Sequence, residues 1–157
     1  TKRRLRDLPG ALADYDRAIA AARQPEPDYY LERAELLASQ GGEQIERAVR
    51  GLDEGLARLG QPVSLLLAAI EIEVAARRYD AALHRIDAMC SRTPRKELWL
   101  SRRGEVLEKA GRRAAADEAY RAALSAIDQL PEQRRRTKTM TDLRAHLLEK
   151  TVAPVSK

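Results

Sequence analysis

The sequence predicts an all-α protein made of stacked copies of one helical unit, and three observations predict it. Ala48, Ala82 and Ala116 stand 34 residues apart, and each is followed four places on by a large residue: Leu52, Ile86 or Tyr120. A fixed period of this length means repeated copies of one supersecondary unit rather than a single globular core. Gly and Pro punctuate the chain at helix-pair spacing, and no stretch alternates apolar and polar residues as a strand would. Finally, Ala, Leu and charged residues dominate, aromatics are only 4% and Phe is absent, so the core must be built largely from Ala and Leu. That composition favours helices throughout.

Each element follows in order. Pro9 opens a first helix in which Leu12, Tyr15, Ala18, Ile19 and Ala22 keep a 3.6-residue period to about Arg23. Gln24-Pro25-Glu26-Pro27 breaks it, because proline cannot continue a helix and restricts the residue before it. Asp28 is placed to cap a second helix, which runs to Gln40 and stops at Gly41-Gly42. A third, about Glu43 to Leu59, carries Ile45, Ala48, Val49, Leu52 and Leu56 on one face and ends at Gly60. The fourth follows Pro62 and is apolar nearly all round from Leu65 to Ile70, which predicts burial on two sides.

The fifth helix spans about Tyr79 to Arg92, before Thr93-Pro94. The sixth runs from about Lys96 to Ala110 and is stopped by Gly111; the seventh runs from Arg113 to about Leu130. Pro131 then stands in the first turn of a final helix reaching about Lys150. Its narrow apolar stripe of Met140, Leu143 and Leu147 suits a cap on the stack. That makes about eight helices, and the tail beyond Val152 is expected to fray.

The periodic residues resemble the tetratricopeptide repeat (TPR) family. Its second helix carries a small residue, a large one four on, and a small one three further. Those places read Ala48/Leu52/Gly55, Ala82/Ile86/Met89 and Ala116/Tyr120/Ala123, with an earlier copy at Ala11/Tyr15/Ala18. The first-helix pattern of large, small and large apolar residues is matched by Tyr30/Ala34/Leu37 and Leu100/Gly104/Leu107, and poorly by Leu66/Ile70/Glu73. The closing proline survives as Pro94, and Gly41-Gly42 lengthens one turn by two residues.

The resemblance covers about Leu8 to Leu130. It implies a right-handed superhelix of stacked antiparallel helix pairs, a TPR-like α-solenoid with a C-terminal capping helix, as one domain over 1–157. Its parts are a half repeat at 9–23, repeats at 27–60, 62–94 and 96–130, and a cap at 131–150. Thr1 to Leu8 is too short and too basic to supply the first helix of the half repeat. The chain is therefore expected to be cut from a longer array or to begin with an irregular half-repeat. The Ala- and Arg-rich, Lys-poor composition resembles bacterial proteins of GC-rich genomes, which leaves cytoplasm and periplasm both open.

Catalytic constellations are missing from the sequence. His84 and His146 are far apart, and the single cysteine, Cys90, lies six residues from His84, roughly 240° around a shared helix. No Gly-rich phosphate loop and no metal-spaced His, Cys or carboxylate cluster is present, so no enzyme activity, cofactor or metal is expected. No run approaches the roughly 18 apolar residues of a membrane span. The net charge of +5 admits a nucleic-acid binder, with Arg134-Arg135-Arg136 as phosphate contacts. Its basic residues are, however, scattered among carboxylates, as on a salt-bridged helix surface.

The function expected from the resemblance is non-catalytic binding of a protein or extended peptide on the concave face formed by the first helices. Glu35, Glu71 and Glu105 each follow the small packing position, and Leu31, Glu32, Ser39, Leu67, Ser101, Arg102, Glu108 and Lys109 lie a turn or less away. Read functionally, this is an acidic ladder for a cationic peptide. Read structurally, these are solvated glutamates of good helix propensity, some paired with Arg. A nucleic-acid-binding helical repeat and a structural or oligomerising segment of a larger protein stand as the alternatives. Oligomeric state is not read from the sequence.

Overall fold

The computed structural model describes residues 7–152. Its elements are α1 (Leu8–Ala21), α2 (Pro27–Ala38), α3 (Glu43–Leu59), α4 (Val63–Ala75), α5 (Tyr79–Arg92), α6 (Glu97–Lys109), α7 (Arg113–Asp128), α8 (Glu132–Arg135) and α9 (Lys138–Val152). Among the described residues there is no strand, and there are nine helices rather than about eight. The basic segment 1–6 and the tail 153–157 lie outside the described residues.

Two expectations at helix ends are corrected. Asp28 does not cap α2. Glu26 stands at the N-cap without a side-chain bond, and Pro27 takes the first helical position, leaving Asp28 in the first turn. There its charge still complements the helix dipole. The final helix is divided, because Thr137 interrupts it. The Thr137 hydroxyl donates to the Arg134 carbonyl at 2.8 Å and accepts from the Met140 N–H at 3.4 Å, closing α8 and opening α9. Side chains of this type offer the backbone an alternative to continuing a helix.

The chain divides after Arg78 into two compact units, at a boundary inside the 62–94 segment. In the first unit α1 packs on α2, α2 on α3, and α4 on both α2 and α3. Its core is Ile19, Tyr30, Ala34, Leu37, Ala48, Leu52, Leu56, Leu65, Ala69 and Ile70. Polar contacts hold α1: Tyr15 donates to Glu32, Arg33 pairs with Asp16 at 3.1 Å, and Arg58 donates to the Ile19 and Ala22 carbonyls. The Arg58 bonds satisfy carbonyls that a helix C-terminus leaves without partners.

In the second unit α5 packs on α6, α6 on α7, and α7 on α9. Ala82, Ile86, Leu107, Ala116, Tyr120, Ala123 and Ile127 fill its core, and Met140 and Leu147 of α9 close it. Arg103 reaches Asp87 at 2.8 Å and Arg112 reaches Asp80 at 2.7 Å, tying α5 to α6 and to the turn after it. The Arg112 guanidinium holds the Asp80 carboxyl below the usual carboxylate range. Glu97, buried at the start of α6, accepts two hydrogen bonds from Arg95 at 2.9 and 2.7 Å.

The 34-residue period recurs in the backbone. Helices α4 and α6 begin and end 34 residues apart, and so do the first residues of α5 and α7. At the end of α4 the N–H groups of Ala76, Arg77 and Arg78 donate to Ile72, Val74 and Glu73; at the end of α6 those of Ala110, Gly111 and Arg112 donate to Val106, Glu108 and Leu107. The bonds match one for one at that offset. Left-handed φ falls at Arg77 (60°) and at Gly111 (75°), the same place in each turn.

Candidate binding site

α2 and α4 lie side by side on α3 and meet through small side chains. Ala34 and Ala38 of α2, Ala68 within α4, Ala75 at its end and Ala76 beyond it line a shared space, with Leu31, Ile45 and Ile72 supplying the larger apolar surface. Helix backbones held apart by the larger side chains leave space that a methyl group does not fill. The result is an open cavity of about 350 Å³. That volume is at the small end of ligand sites, which run from about 300 to 1,000 Å³.

Among the described residues, the only charged ones lining it are Glu35 and Glu71, both exposed. Each occupies the position after a buried packing residue, Ala34 or Ile70, and so emerges at the edge of the core. Among the described residues no lysine or arginine lines the cavity. An apolar floor with carboxylates at the rim can hold an aliphatic group and a cation together.

Three of the residues singled out in the sequence, Leu31, Glu35 and Glu71, therefore meet at one place. The others of the first unit do not join them on its lining. Glu32 accepts the Tyr15 hydroxyl, Ser39 donates to the Leu36 carbonyl at 2.7 Å at the end of α2, and Leu67 is half-buried on α4. In the second unit Ser101 is buried, Arg102 stands 3.9 Å from Glu105, and Lys109 is exposed at the end of α6.

Glu108 performs a structural task there. Its carboxylate accepts from Lys150 at 2.7 Å and from the Tyr120 hydroxyl at 2.9 Å, joining α6, α7 and α9. The Lys150 bond above all holds the Glu108 carboxyl below its ordinary range, and burial keeps the Tyr120 phenol protonated well above its own. Cys90 is half-buried, and burial pushes its thiol up, away from nucleophilic character.

Sequence reasoning placed Ala34 and Ile45 on packing faces without seeing that they line a cavity, and it gave Ala38, Ala75 and Ala76 no role. Among the described residues no group of three or more His, Cys, Asp or Glu is placed to hold a metal ion, and no helix is long and apolar enough to cross a membrane. No protein-family model matches the chain, and no curated protein and no solved structure matches it.

Proposed function

We propose that this chain is a TPR-like, non-catalytic scaffold, part of a right-handed α-solenoid, that binds a partner protein or extended peptide on the face of its first helices. The observation that carries the reading is the open, apolar cavity between α2 and α4, rimmed by Glu35 and Glu71. The turns after α4 and α6, equivalent bond for bond at an offset of 34 residues, support the repeat reading. So does burial of Ala48, Ala82 and Ala116 with Leu52, Ile86 and Tyr120. Small residues at such places let neighbouring helices approach and receive a large side chain.

Glu105 holds the corresponding sequence position in the second unit, where Arg102 partly neutralises it. The binding surface proposed is thus acidic, and it selects cationic over anionic ligands through electrostatic complementarity. Charge reversal tests it. Affinity capture with the parent chain and with the Glu35→Lys, Glu71→Lys, Glu105→Lys triple variant should recover a partner in the first case only. All three side chains lie at the surface or partly exposed, so the fold should survive. A partner bound equally by both chains overturns the acidic-face reading.

A further inference from the structure

We propose that at high protein concentration α9 leaves its seat on α7 and fills the same seat on a second copy of this chain, giving a reciprocally exchanged dimer. The connection permits it. Residues 131–139 are all exposed, a run that includes the whole of α8 and the break at Thr137. From this run Arg135 reaches the Asp128 carbonyl at 3.4 Å, and α8 is a single turn of four residues. A helix that short does not persist in water by itself. Unwound, residues 129–137 span about 30 Å, enough to cross to a neighbouring copy.

The seat decides the partner. Met140 and Leu147, seven residues apart on one face, are buried, with Leu143 half-buried between them. Lys150 bonds to Glu108 of α6 at 2.7 Å, and Arg144 stands 3.5 Å from Asp128 at the end of α7. The seat therefore asks for apolar residues at i and i+7 and cations at i+4 and i+10. The α9 of a second copy meets each of these by identity, so exchange preserves the buried surface and both ion pairs, which makes it a low-cost route to a dimer.

Opening is confined to α9. Met140 and Leu147 hold it, whereas α7 buries Ala116, Ala119, Tyr120, Ala123 and Ile127. Segments with few buried apolar contacts open below the free energy of global unfolding. Within one copy the tether keeps α9 at an effective concentration in the millimolar range, so the closed monomer prevails in dilute solution. Exchange competes once the protein itself approaches that concentration.

The test mixes two samples of the whole chain carrying different affinity tags at about 1 mM, the range of that effective concentration. The mixture is warmed to just below its melting temperature, cooled, and passed over a sizing column with light scattering. A dimer bearing both tags is expected, and none in a mixture kept dilute. Charge then identifies the contact. Glu108→Lys and Lys150→Glu each set like charges together in the closed chain. When the two variants are mixed, the seat of each matches the α9 of the other. The mixture should form about tenfold more dimer than either variant alone, the worth of one charge-assisted bond. The double variant Glu108→Lys, Lys150→Glu restores the pair within one copy and should match the parent. A parent chain that stays monomeric through warming at that concentration overturns the proposal. So does a two-tag dimer that Glu108→Lys forms by itself as readily as the mixture does, since that contact lies on another face.

Discussion

The ring of Tyr120, on α7, fills the space where a side chain on Gly104, in α6, would begin. A Cβ built on Gly104 would meet Cζ of that ring at 2.9 Å, with Cδ1 and Cε1 nearer still. The first unit has the same relationship with the roles exchanged between helices: a Cβ on Gly55 of α3 would meet Cγ of Tyr30, on α2, at 2.8 Å. Alanine at either position should raise helix propensity yet force an aromatic ring out of a packed core. Gly104→Ala should cost about 1–3 kcal/mol, the range for overpacking. Gly51→Ala is the counterpart. It too is buried in a helix, but the nearest atoms to its added Cβ belong to the Arg33 guanidinium, at 3.7 Å and beyond. There the propensity gain of roughly 0.5–1 kcal/mol should show as a higher melting temperature. Thermal denaturation followed by circular dichroism separates the two, and equal signs would refute the packing account.

The two core tyrosines also differ at their hydroxyls. Both rings are about 1% exposed, but the Tyr120 hydroxyl donates to Glu108 at 2.9 Å, whereas that of Tyr30 has no hydrogen-bond partner among the described residues. A buried hydroxyl without a partner costs about 1–3 kcal/mol. Tyr30→Phe should therefore leave stability unchanged or raise it by about 1 kcal/mol, while Tyr120→Phe should lower it by about 1–2 kcal/mol. Urea titration of the two variants against the parent gives the comparison, and destabilisation by Tyr30→Phe would show that its hydroxyl is satisfied after all.

Arg77 adopts φ 60° where Gly111, one period later, adopts 75°. A left-handed conformation costs a side-chain-bearing residue roughly 1–2 kcal/mol, and glycine nearly nothing. Arg77→Gly should consequently stabilise the first unit by about 1 kcal/mol, and Gly111→Ala should destabilise the second by a similar amount, although nothing lies within 4 Å of the added Cβ. Differential scanning calorimetry would register the opposite shifts. If Arg77→Gly lowers the transition, its side chain contributes more than its backbone costs.

Much of this was legible because repetition is a strong signal. The spacing of Ala48, Ala82 and Ala116 marks residues that are wholly buried, and the bounds expected for the helices from Glu43 and from Tyr79 coincide with α3 and α5. Glu35 and Glu71 were legible as a pair because each follows a packing position. The cavity between them was not. In an alanine-rich chain, an alanine facing another alanine across two helices looks the same as one facing solvent. Only the pairing of α2 with α4 distinguishes Ala38, Ala68 and Ala75 from the rest. The break at Thr137 escaped for a different reason: a single hydroxyl outweighed a helical pattern that continues on both sides of it.

Glu108 joins three helices, and its titration should be visible in the acid stability of the second unit. Its carboxyl is held below 4.5, chiefly by Lys150 and also by Tyr120. A carboxyl with a depressed folded-state pKa contributes stability that is fully present above its unfolded value. That contribution is lost as pH falls through the lower, folded value. The melting temperature of the parent should therefore drop between about pH 5 and pH 3 more steeply than that of Lys150→Gln, which has already lost the main cause of the shift. At neutral pH the gap is widest: the variant should melt lower, by about 1–2 kcal/mol of stability for a lost charge-assisted bond that is partly exposed. At the alkaline end the raised phenol of Tyr120 predicts falling stability above pH 10, since the folded state resists ionisation that the unfolded chain permits. Parallel pH profiles of parent and variant that keep a constant gap from pH 7 to pH 3 would overturn the assignment of Glu108 as the titrating latch between α6, α7 and α9.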